Sequence, residues 1–135
     1  MKKKICLVVA QYYPKISKNL FLGSIKILKK HKFIKYTKID APGIFEIPYL
    51  ISKNIKKYDA FIALGCVIKG QTVHFELISK ATTYAIMNLS VKYNKPISNG
   101  IISCFTKKQA LIRSSLRKKN KGEESAKAII SILKM

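Results

Sequence analysis

The segment AFIALGCVIKGQTVHFE, residues 60–76, decides the fold of this chain. Its first nine residues form a short, continuous apolar run, which is typical of a strand buried on both faces. A glycine-containing polar loop follows, and a helical pattern begins at about residue 75. A buried strand, a loop and a helix in this order are the repeating unit of an α/β fold.

The rest of the chain repeats this alternation. Strands are predicted at residues 5–10, 33–40, 60–68 and 96–103, and helices at 17–31, 47–58, 75–93, 106–118 and 122–134. Strands that alternate with helices form right-handed crossovers and a parallel sheet covered on both faces. We therefore expect a three-layer α/β/α sandwich of flavodoxin-like type, with a central parallel sheet of about four strands.

The length and composition bound the class of protein. A chain of 135 residues, 48% hydrophobic and without a linker or repeat, predicts one globular domain over residues 1–135. The net charge of +21 comes from 27 basic and 6 acidic residues. Clustered lysines can bind nucleic acid, but these lysines are scattered and do not alternate with aromatic residues. The pattern favours a solvated surface, with at most non-specific binding of nucleic acid.

The cysteines and the N-terminus indicate a compartment. Three cysteines without a CxxC motif, each in or beside an apolar run, are typical of reduced thiols in a cytosol. The basic start, MKKKICLVVAQYY, lacks the apolar body and cleavage site of a signal peptide. No apolar stretch approaches the ~20 residues of a membrane span. These patterns predict a cytoplasmic protein without a membrane partner.

Chemically useful residues follow the predicted strands. Because the carboxyl ends of parallel strands meet at one edge of a sheet, we expect Tyr12, Glu46 and His74 to lie close together. A histidine can move protons near neutral pH, and a helix start with a glycine and a threonine can bind an anion. Glu46 could accept hydrogen bonds from hydroxyls, and Tyr12 could stack on a flat ring.

Each of these residues also has a structural interpretation. His74 could cap a helix, Glu46 could stabilise a helix N-terminus, and Tyr12 could be an ordinary loop residue. No nucleophilic triad, Walker motif or cluster of metal ligands is present in the sequence. The residues alone therefore predict an enzyme acting on a small phosphorylated molecule without a metal, and leave the reaction open.

Arginine is used at only two of the 27 basic positions, Arg113 and Arg117. They lie four residues apart, which predicts one face of the helix at 106–118. A guanidinium can hold phosphate or carboxylate through two parallel hydrogen bonds, whereas lysine cannot. Random substitution would explain the same pattern, so the pair by itself is an ambiguous signal.

Four motifs together resemble the lumazine synthase family: PGIFEIP at 42–48, ALGCVIKGQTVHFE at 63–76, NGIIS at 99–103, and RSSLRKKNKGEESA at 113–126. Their order and gaps match the family pattern across nearly the whole chain. The resemblance implies condensation of 5-amino-6-(D-ribitylamino)uracil with 3,4-dihydroxy-2-butanone 4-phosphate. This reaction gives 6,7-dimethyl-8-ribityllumazine, phosphate and water, is the penultimate step of riboflavin biosynthesis, and needs no cofactor.

The resemblance also implies roles for single residues. His74 falls on the catalytic histidine, a general acid/base, and Gln71, Thr72 and Arg113 fall on phosphate-binding positions. Arg117 would add supporting charge. The implied substrate-binding residues are Tyr12 on the pyrimidine ring, Ile44, Phe45 and Glu46 near the ribityl chain, the backbone of Cys66, Val67 and Ile68, and Asn99. In the family, the positions of Asn99 and Arg113 are supplied by a neighbouring subunit.

Assembly and rival functions complete these expectations. The resemblance implies a homo-oligomer, either a pentamer or an icosahedral 60-mer built of pentamers. A basic nucleic-acid-binding module without catalysis would show salt-dependent binding and no effect of His74→Ala. A flavin or lumazine carrier would bind its ligand without turnover. The combination of His74, Thr72 and Arg113 argues against both, because binding alone needs no proton-transfer group.

Overall fold

The computed structural model describes residues 2–70 and 73–135, in which strands and helices alternate along the chain. The strands are β1 (Lys3–Ala10), β2 (Ile34–Ala41), β3 (Ala60–Ile68) and β4 (Ile97–Cys104). The helices are α1 (Pro14–Leu28), α2 (Ile47–Asn54), α3 (His74–Tyr93), α4 (Lys107–Arg113) and α5 (Lys121–Leu133). A short 3₁₀ turn, Ile44–Glu46, precedes α2.

All four strands are parallel, in the order β2-β1-β3-β4. The central strands β1 and β3 are buried along nearly their whole length, as their continuous apolar sequences require. The strand β2 at one edge is exposed at most of its positions, so its alternating sequence is only partly reflected in burial. The predicted parallel sheet of four strands between helices is confirmed.

Two apolar clusters cover the two faces of the sheet. Ile5, Leu7 and Val9 of β1 point into a cluster with α1 and α5. Their neighbours Cys6 and Val8 point to the other face, into a cluster with α2 and α3. This alternation along one strand is the period of two that places successive side chains on opposite faces. The connection from β1 to β2 runs over one face of the sheet through α1, and the connection from β2 to β3 runs over the other face through α2. The strand order therefore changes direction between β1 and β3, and ligands bind at such points in parallel sheets.

The close approach of α1 and α5 depends on Asn120 and Gly122. The Asn120 side chain caps α5 by accepting a hydrogen bond from the Glu123 backbone at 3.0 Å. Its amide group donates to the Asn19 carbonyl at 3.0 Å and to the Ser114 carbonyl at 3.1 Å. A Cβ on Gly122 would lie 1.9 Å from the Leu20 carbonyl oxygen, so only glycine fits against this backbone.

The variant Gly122→Ala is expected to lower the free energy of unfolding by about 2–3 kcal/mol, because a backbone segment must move to admit the methyl group. Denaturant unfolding followed by circular dichroism measures this change. Gly70→Ala is the matched control, since a Cβ there would meet nothing within 4 Å. Equal stability of the two variants would contradict the close packing of α1 on α5.

The predicted helix at 106–118 is wrong in its extent. The helix α4 ends at Arg113, and Ser114 is its C-cap residue. The Ser114 hydroxyl donates a hydrogen bond back to the Ala110 carbonyl at 2.8 Å. Asn120 binds the Ser114 carbonyl and closes the intervening segment into a loop. Arg117 lies in this loop, so it does not share a helix face with Arg113.

Candidate functional site

A cavity of about 760 Å³ lies at the carboxyl ends of β1 and β3. Its lining comes from the segment after β1, the 3₁₀ turn before α2, the end of β3 and the first two turns of α3. Most of these segments were predicted to meet at this edge of the sheet. The cavity is therefore the first candidate for the site.

Two adjacent tyrosines form one wall. Tyr12 is 73% exposed, and its ring meets the Tyr13 ring edge-on, with centroids 5.0 Å apart and planes at 81°. Burial raises the pKa of Tyr13, with further contributions from Tyr12 and Cys66, so its phenol stays protonated at neutral pH. The pair presents an exposed aromatic face that is held by a half-buried ring.

The 3₁₀ turn forms a second wall through Gly43, Ile44 and Phe45. Ile44 is buried, whereas Phe45 is 67% exposed. Glu46 closes the turn, because its Oε1 accepts a hydrogen bond from the Gly43 backbone at 2.9 Å. Glu46 therefore stabilises the start of a helical turn, which is the structural alternative that the sequence analysis gave for it. A carboxylate has a second oxygen and further lone pairs, so the contact leaves acceptor capacity beside the cavity.

The floor consists of Cys66, Val67 and Ile68 at the end of β3. Burial raises the pKa of the Cys66 thiol to about 12, and the neighbouring Cys104 adds to the effect. The thiol is therefore neutral at physiological pH and is a poor nucleophile. These residues offer the cavity their backbone groups and apolar surface.

His74 is the first residue of α3 and lines the cavity together with Phe75. Gly70 also lines it, two residues after the end of β3. The predicted phosphate-binding residues Gln71 and Thr72 lie outside the described residues. The structure thus brings His74 together with Tyr12, the 3₁₀ turn and the end of β3.

Arg113 lies in a different place. It lines a second cavity of about 290 Å³ with Ser103, Lys119, Lys121 and Glu124. Its guanidinium donates to the Ser103 carbonyl at 3.3 Å and to the Cys104 sulfur at 3.8 Å. Among the described residues, none lines both cavities. A single chain therefore does not place Arg113 against His74.

Asn99 is also separated from the first cavity. It lies on β4, paired with Ala63 in the middle of β3, and its Oδ1 accepts a hydrogen bond from the Ile101 backbone at 3.1 Å. It lines neither cavity. Since β4 is the edge strand of the sheet, Asn99 lies where a second chain could reach it.

Several lining residues were not predicted. Tyr13 and Phe75 are adjacent in sequence to predicted site residues, so proximity to Tyr12 and His74 was the available signal. Lys121 and Glu124 belong to the motif NKGEESA, whose recognised pattern pointed to them without assigning a role. Within residues 2–70 and 73–135, no group of three potential metal ligands occurs, and no helix is long and apolar enough to span a membrane.

Comparison with known proteins gives consistent results. Residues 2–135 match the profile of the 6,7-dimethyl-8-ribityllumazine synthase family. Proteins named 6,7-dimethyl-8-ribityllumazine synthase from Bartonella bacilliformis and from Buchnera aphidicola subsp. Baizongia pistaciae are 37% and 38% identical to this chain over 133 and 138 residues. The matches cover 96% and 98% of this chain, and 87% and 86% of those proteins. A protein of the same name from Nitrobacter hamburgensis is 36% identical over 136 residues, which are 96% of this chain and 83% of that protein.

Proposed function

This chain belongs to the 6,7-dimethyl-8-ribityllumazine synthase family, and we propose that its two cavities form one active site between neighbouring copies. The reaction is the condensation of 5-amino-6-(D-ribitylamino)uracil with 3,4-dihydroxy-2-butanone 4-phosphate in riboflavin biosynthesis. It yields the ribityllumazine, phosphate and water. The assignment of roles to residues and the assembly are the parts that we propose.

The single observation that carries the proposal is the separation of the two functional groups. The reaction needs a proton-transfer group and a cationic side chain that binds the phosphate of the same substrate. His74 lines one cavity and Arg113 lines the other. The groups can therefore serve one substrate when the Arg113 cavity of one copy faces the His74 cavity of the next.

We assign the larger cavity to the ribitylaminouracil. The exposed ring of Tyr12 suits stacking on the pyrimidine, and the backbone of Cys66, Val67 and Ile68 suits its hydrogen-bonding edge. The carboxylate oxygen of Glu46 that is not engaged with Gly43 suits the hydroxyls of the ribityl chain, beside Ile44 and Phe45. Asn99 would approach the pyrimidine from the edge strand of the neighbouring copy.

We assign the phosphate of the second substrate to Arg113, together with Gln71 and Thr72 of the adjacent copy. Lys119 and Lys121 share the Arg113 cavity, so three cations surround the position where the anion would lie. Glu124 lies in the same cavity, 3.9 Å from the Lys121 ammonium, and offsets part of this positive charge. A guanidinium with two parallel donors would set the orientation of the phosphate.

The proposed mechanism is mainly one of positioning. Two reactants held side by side replace a bimolecular encounter by an internal one, which contributes up to about 7–11 kcal/mol in ideal geometry. His74 would move protons as the amine condenses with the ketone, with loss of water, and as the phosphate leaves. Such acid/base assistance contributes about 10²–10⁴-fold.

An uncovered apolar stripe on α3 supports assembly. The buried residues of this 20-residue helix are Ile78, Thr82 and Ile86. Its large exposed apolar side chains are Val73 at the helix start, Leu77, Tyr84, Met87 and Val91, each at least 60% exposed. At about 100° per residue they share one face, opposite the buried residues. A stripe of this kind marks an interface, and we propose that a second copy covers it.

The two half-sites restrict the geometry of that assembly. Because one surface of a copy faces a different surface of the next, the interface is head-to-tail, and such an interface forms a ring when the rotation between copies closes. We propose a pentamer, either alone or as the unit of an icosahedral 60-mer, in agreement with the resemblance found in the sequence. In any such ring each copy contributes to two sites.

The double variant Tyr84→Glu with Met87→Glu is expected to dissociate the ring, because two charges would be buried against the next copy. Neither residue lines a cavity, yet turnover should fall with the assembly. Size-exclusion chromatography with light scattering measures the particle mass. Ser131→Glu, an exposed change on α5, is the control and should leave the particle intact. Unchanged mass in the double variant would contradict an interface on this stripe.

A turnover assay tests the proposed site most simply. Purified protein is mixed with both substrates, and formation of the fluorescent lumazine is followed against the uncatalysed background. Acceleration by the wild type, with parallel loss in variants of both cavities, supports the proposal. Binding of the lumazine by a folded, assembled protein without acceleration would instead identify a carrier.

The cysteines and the sheet support two simpler proposals. The three cysteines are buried and free, which suits the reducing cytoplasm where we place the protein. The four strands form one sheet, with both apolar clusters packed on it, which supports a single domain over residues 1–135.

A further inference from the structure

The fold gathers lysines that are scattered in the sequence. Parallel strands begin, and the helices α1, α2, α3 and α5 end, at the edge of the sheet opposite the larger cavity. We call this edge the basic rim; it consists of residues 2–4, 29–33, 53–59, 92–96 and 134–135. These 22 residues are about a sixth of the chain but contain twelve of its 27 basic residues and one acid, Asp59.

The rim charges face solvent. Eleven of the twelve lysines are exposed, and Lys95 is the half-buried one, with its ammonium donating to the Tyr58 carbonyl at 2.7 Å. Asp59 is occupied by the Lys4 backbone, which donates to its Oδ2 at 2.7 Å. The ion pairs found within the described residues are Lys26–Glu123, Lys38–Asp40 and Lys121–Glu124, and all lie outside the rim. The rim is therefore a surface of concentrated and uncompensated positive charge.

Helix dipoles explain only part of this concentration. A cation in the last turn of a helix is stabilised by the carbonyl groups there, which accounts for residues such as Lys53 and Lys92. It does not account for Lys2, Lys3 and Lys4 at the start of β1, or for Lys32, which lies three residues beyond the C-cap of α1. Like charges at this density repel one another, and a polyanion would relieve the repulsion.

We propose that the basic rim binds the phosphate backbone of nucleic acid, without dependence on sequence. Double-stranded nucleic acid carries one charge for about every 1.7 Å of axis, which is a denser partner than a bilayer with a minority of anionic lipids. Stable attachment to a bilayer usually adds an apolar anchor, whereas the large exposed apolar side chains of the rim are Tyr93 and the terminal Met135. The rim ring of Tyr93, contacted by the Lys92 ammonium at 5.3 Å from its centroid, also suits contact with a base.

This surface is independent of the reaction site. The larger cavity lies at the carboxyl ends of the strands, and the rim lies at their amino ends. Nucleic acid on the rim would therefore leave turnover unchanged. In the proposed ring, rotation about the axis gives every rim the same direction along it, so the charges of all copies would act together.

The test compares two fourfold variants of the full-length protein that lose the same charge. The rim variant carries Lys30→Gln, Lys32→Gln, Lys56→Gln and Lys57→Gln. The control variant carries Lys15→Gln, Lys18→Gln, Lys108→Gln and Lys127→Gln, all exposed and outside the rim. Binding of a fluorescein-labelled 20-nucleotide RNA of mixed sequence is measured by anisotropy between 50 and 200 mM KCl. Vesicles with 30% phosphatidylserine form a parallel arm, and turnover and particle mass are measured for each protein.

The wild type is expected to bind the RNA with a log–log salt slope of about −3 or steeper, as for at least four phosphate contacts on a single strand. The rim variant should lose about 10- to 100-fold in affinity and two or more units of slope, while the control variant changes less than about threefold. Equal losses in both variants would show a diffuse charge effect and overturn the proposal. So would absent RNA binding at 100 mM KCl, or rim-dependent binding to vesicles alone.

Discussion

Replacing His74 by alanine is expected to lower kcat by about 10²–10⁴-fold, the usual contribution of a positioned acid/base group. The reason is local, because His74 begins α3 inside the larger cavity, where the condensing groups would meet. Activity should not fall to background, since the remaining residues still hold the two reactants together. The measurement is steady-state formation of the lumazine at saturating concentrations of both substrates.

His31→Ala is the matched control for this variant. His31 is the other histidine of the chain and lies on the basic rim, with its ring edge-on to Phe33 at 5.7 Å. Its loss should leave kcat within about twofold of wild type. A His74→Ala enzyme with wild-type kcat, correctly assembled, would remove His74 from proton transfer and leave it only a structural role.

Replacing Arg113 by alanine is expected to lower kcat/KM for the butanone phosphate by about 10- to 100-fold. A hydrogen bond to a charged partner contributes about 1.5–3 kcal/mol, which corresponds to this range. Most of the loss should appear in KM for the phosphate substrate, and inhibition by inorganic phosphate should weaken in parallel. The kcat/KM of Arg113→Lys should lie between those of the wild type and Arg113→Ala, because lysine keeps the charge but lacks the paired donors.

Arg117→Ala controls for the loss of one positive charge. Arg117 is exposed, lies in the loop after α4 and lines neither cavity. Its loss should change kcat/KM by less than about twofold. Equal effects of the two arginine variants would indicate general attraction of the anion rather than a defined phosphate site at Arg113.

Much of the fold could be predicted because the strands are unambiguous. The apolar runs of β1 and β3 are short, continuous and bounded by polar loops, and their alternation with helical patterns leaves few topologies. The end of α4 could not be predicted in this way. It depends on Asn120, whose side chain reaches Asn19 in a distant helix and Ser114 in the preceding loop.

The site was predictable only where it follows from a strand end. Tyr12, Ile44, Phe45, Cys66, Val67, Ile68 and His74 all line the larger cavity because the carboxyl ends of β1 and β3 meet there. Arg113 and Asn99 were implied by resemblance, and the structure places both away from that cavity. Their contribution depends on how copies pack, which local sequence patterns do not encode.

The clustering of the lysines could not be predicted from the sequence either. Along the chain they form short separate runs, and each run alone is typical of a solvated surface. Their gathering at one edge depends on all the strands starting and four helices ending there. Sequence patterns in single segments therefore underestimate the positive charge of the basic rim, because the topology brings these segments together.

The central claim, that one site is built from two copies, is tested most directly by mixing two impaired variants. His74→Ala and Arg113→Ala proteins are dissociated, combined in equal amounts and reassembled, and turnover at a butanone phosphate concentration well below KM is compared with that of each variant reassembled alone. If each site takes His74 from one copy and Arg113 from the next, random mixing restores about a quarter of the sites, and activity should rise to about a quarter of wild type. If mixed rings form but activity stays at the average of the two variants, both groups act within one chain and the shared site is contradicted.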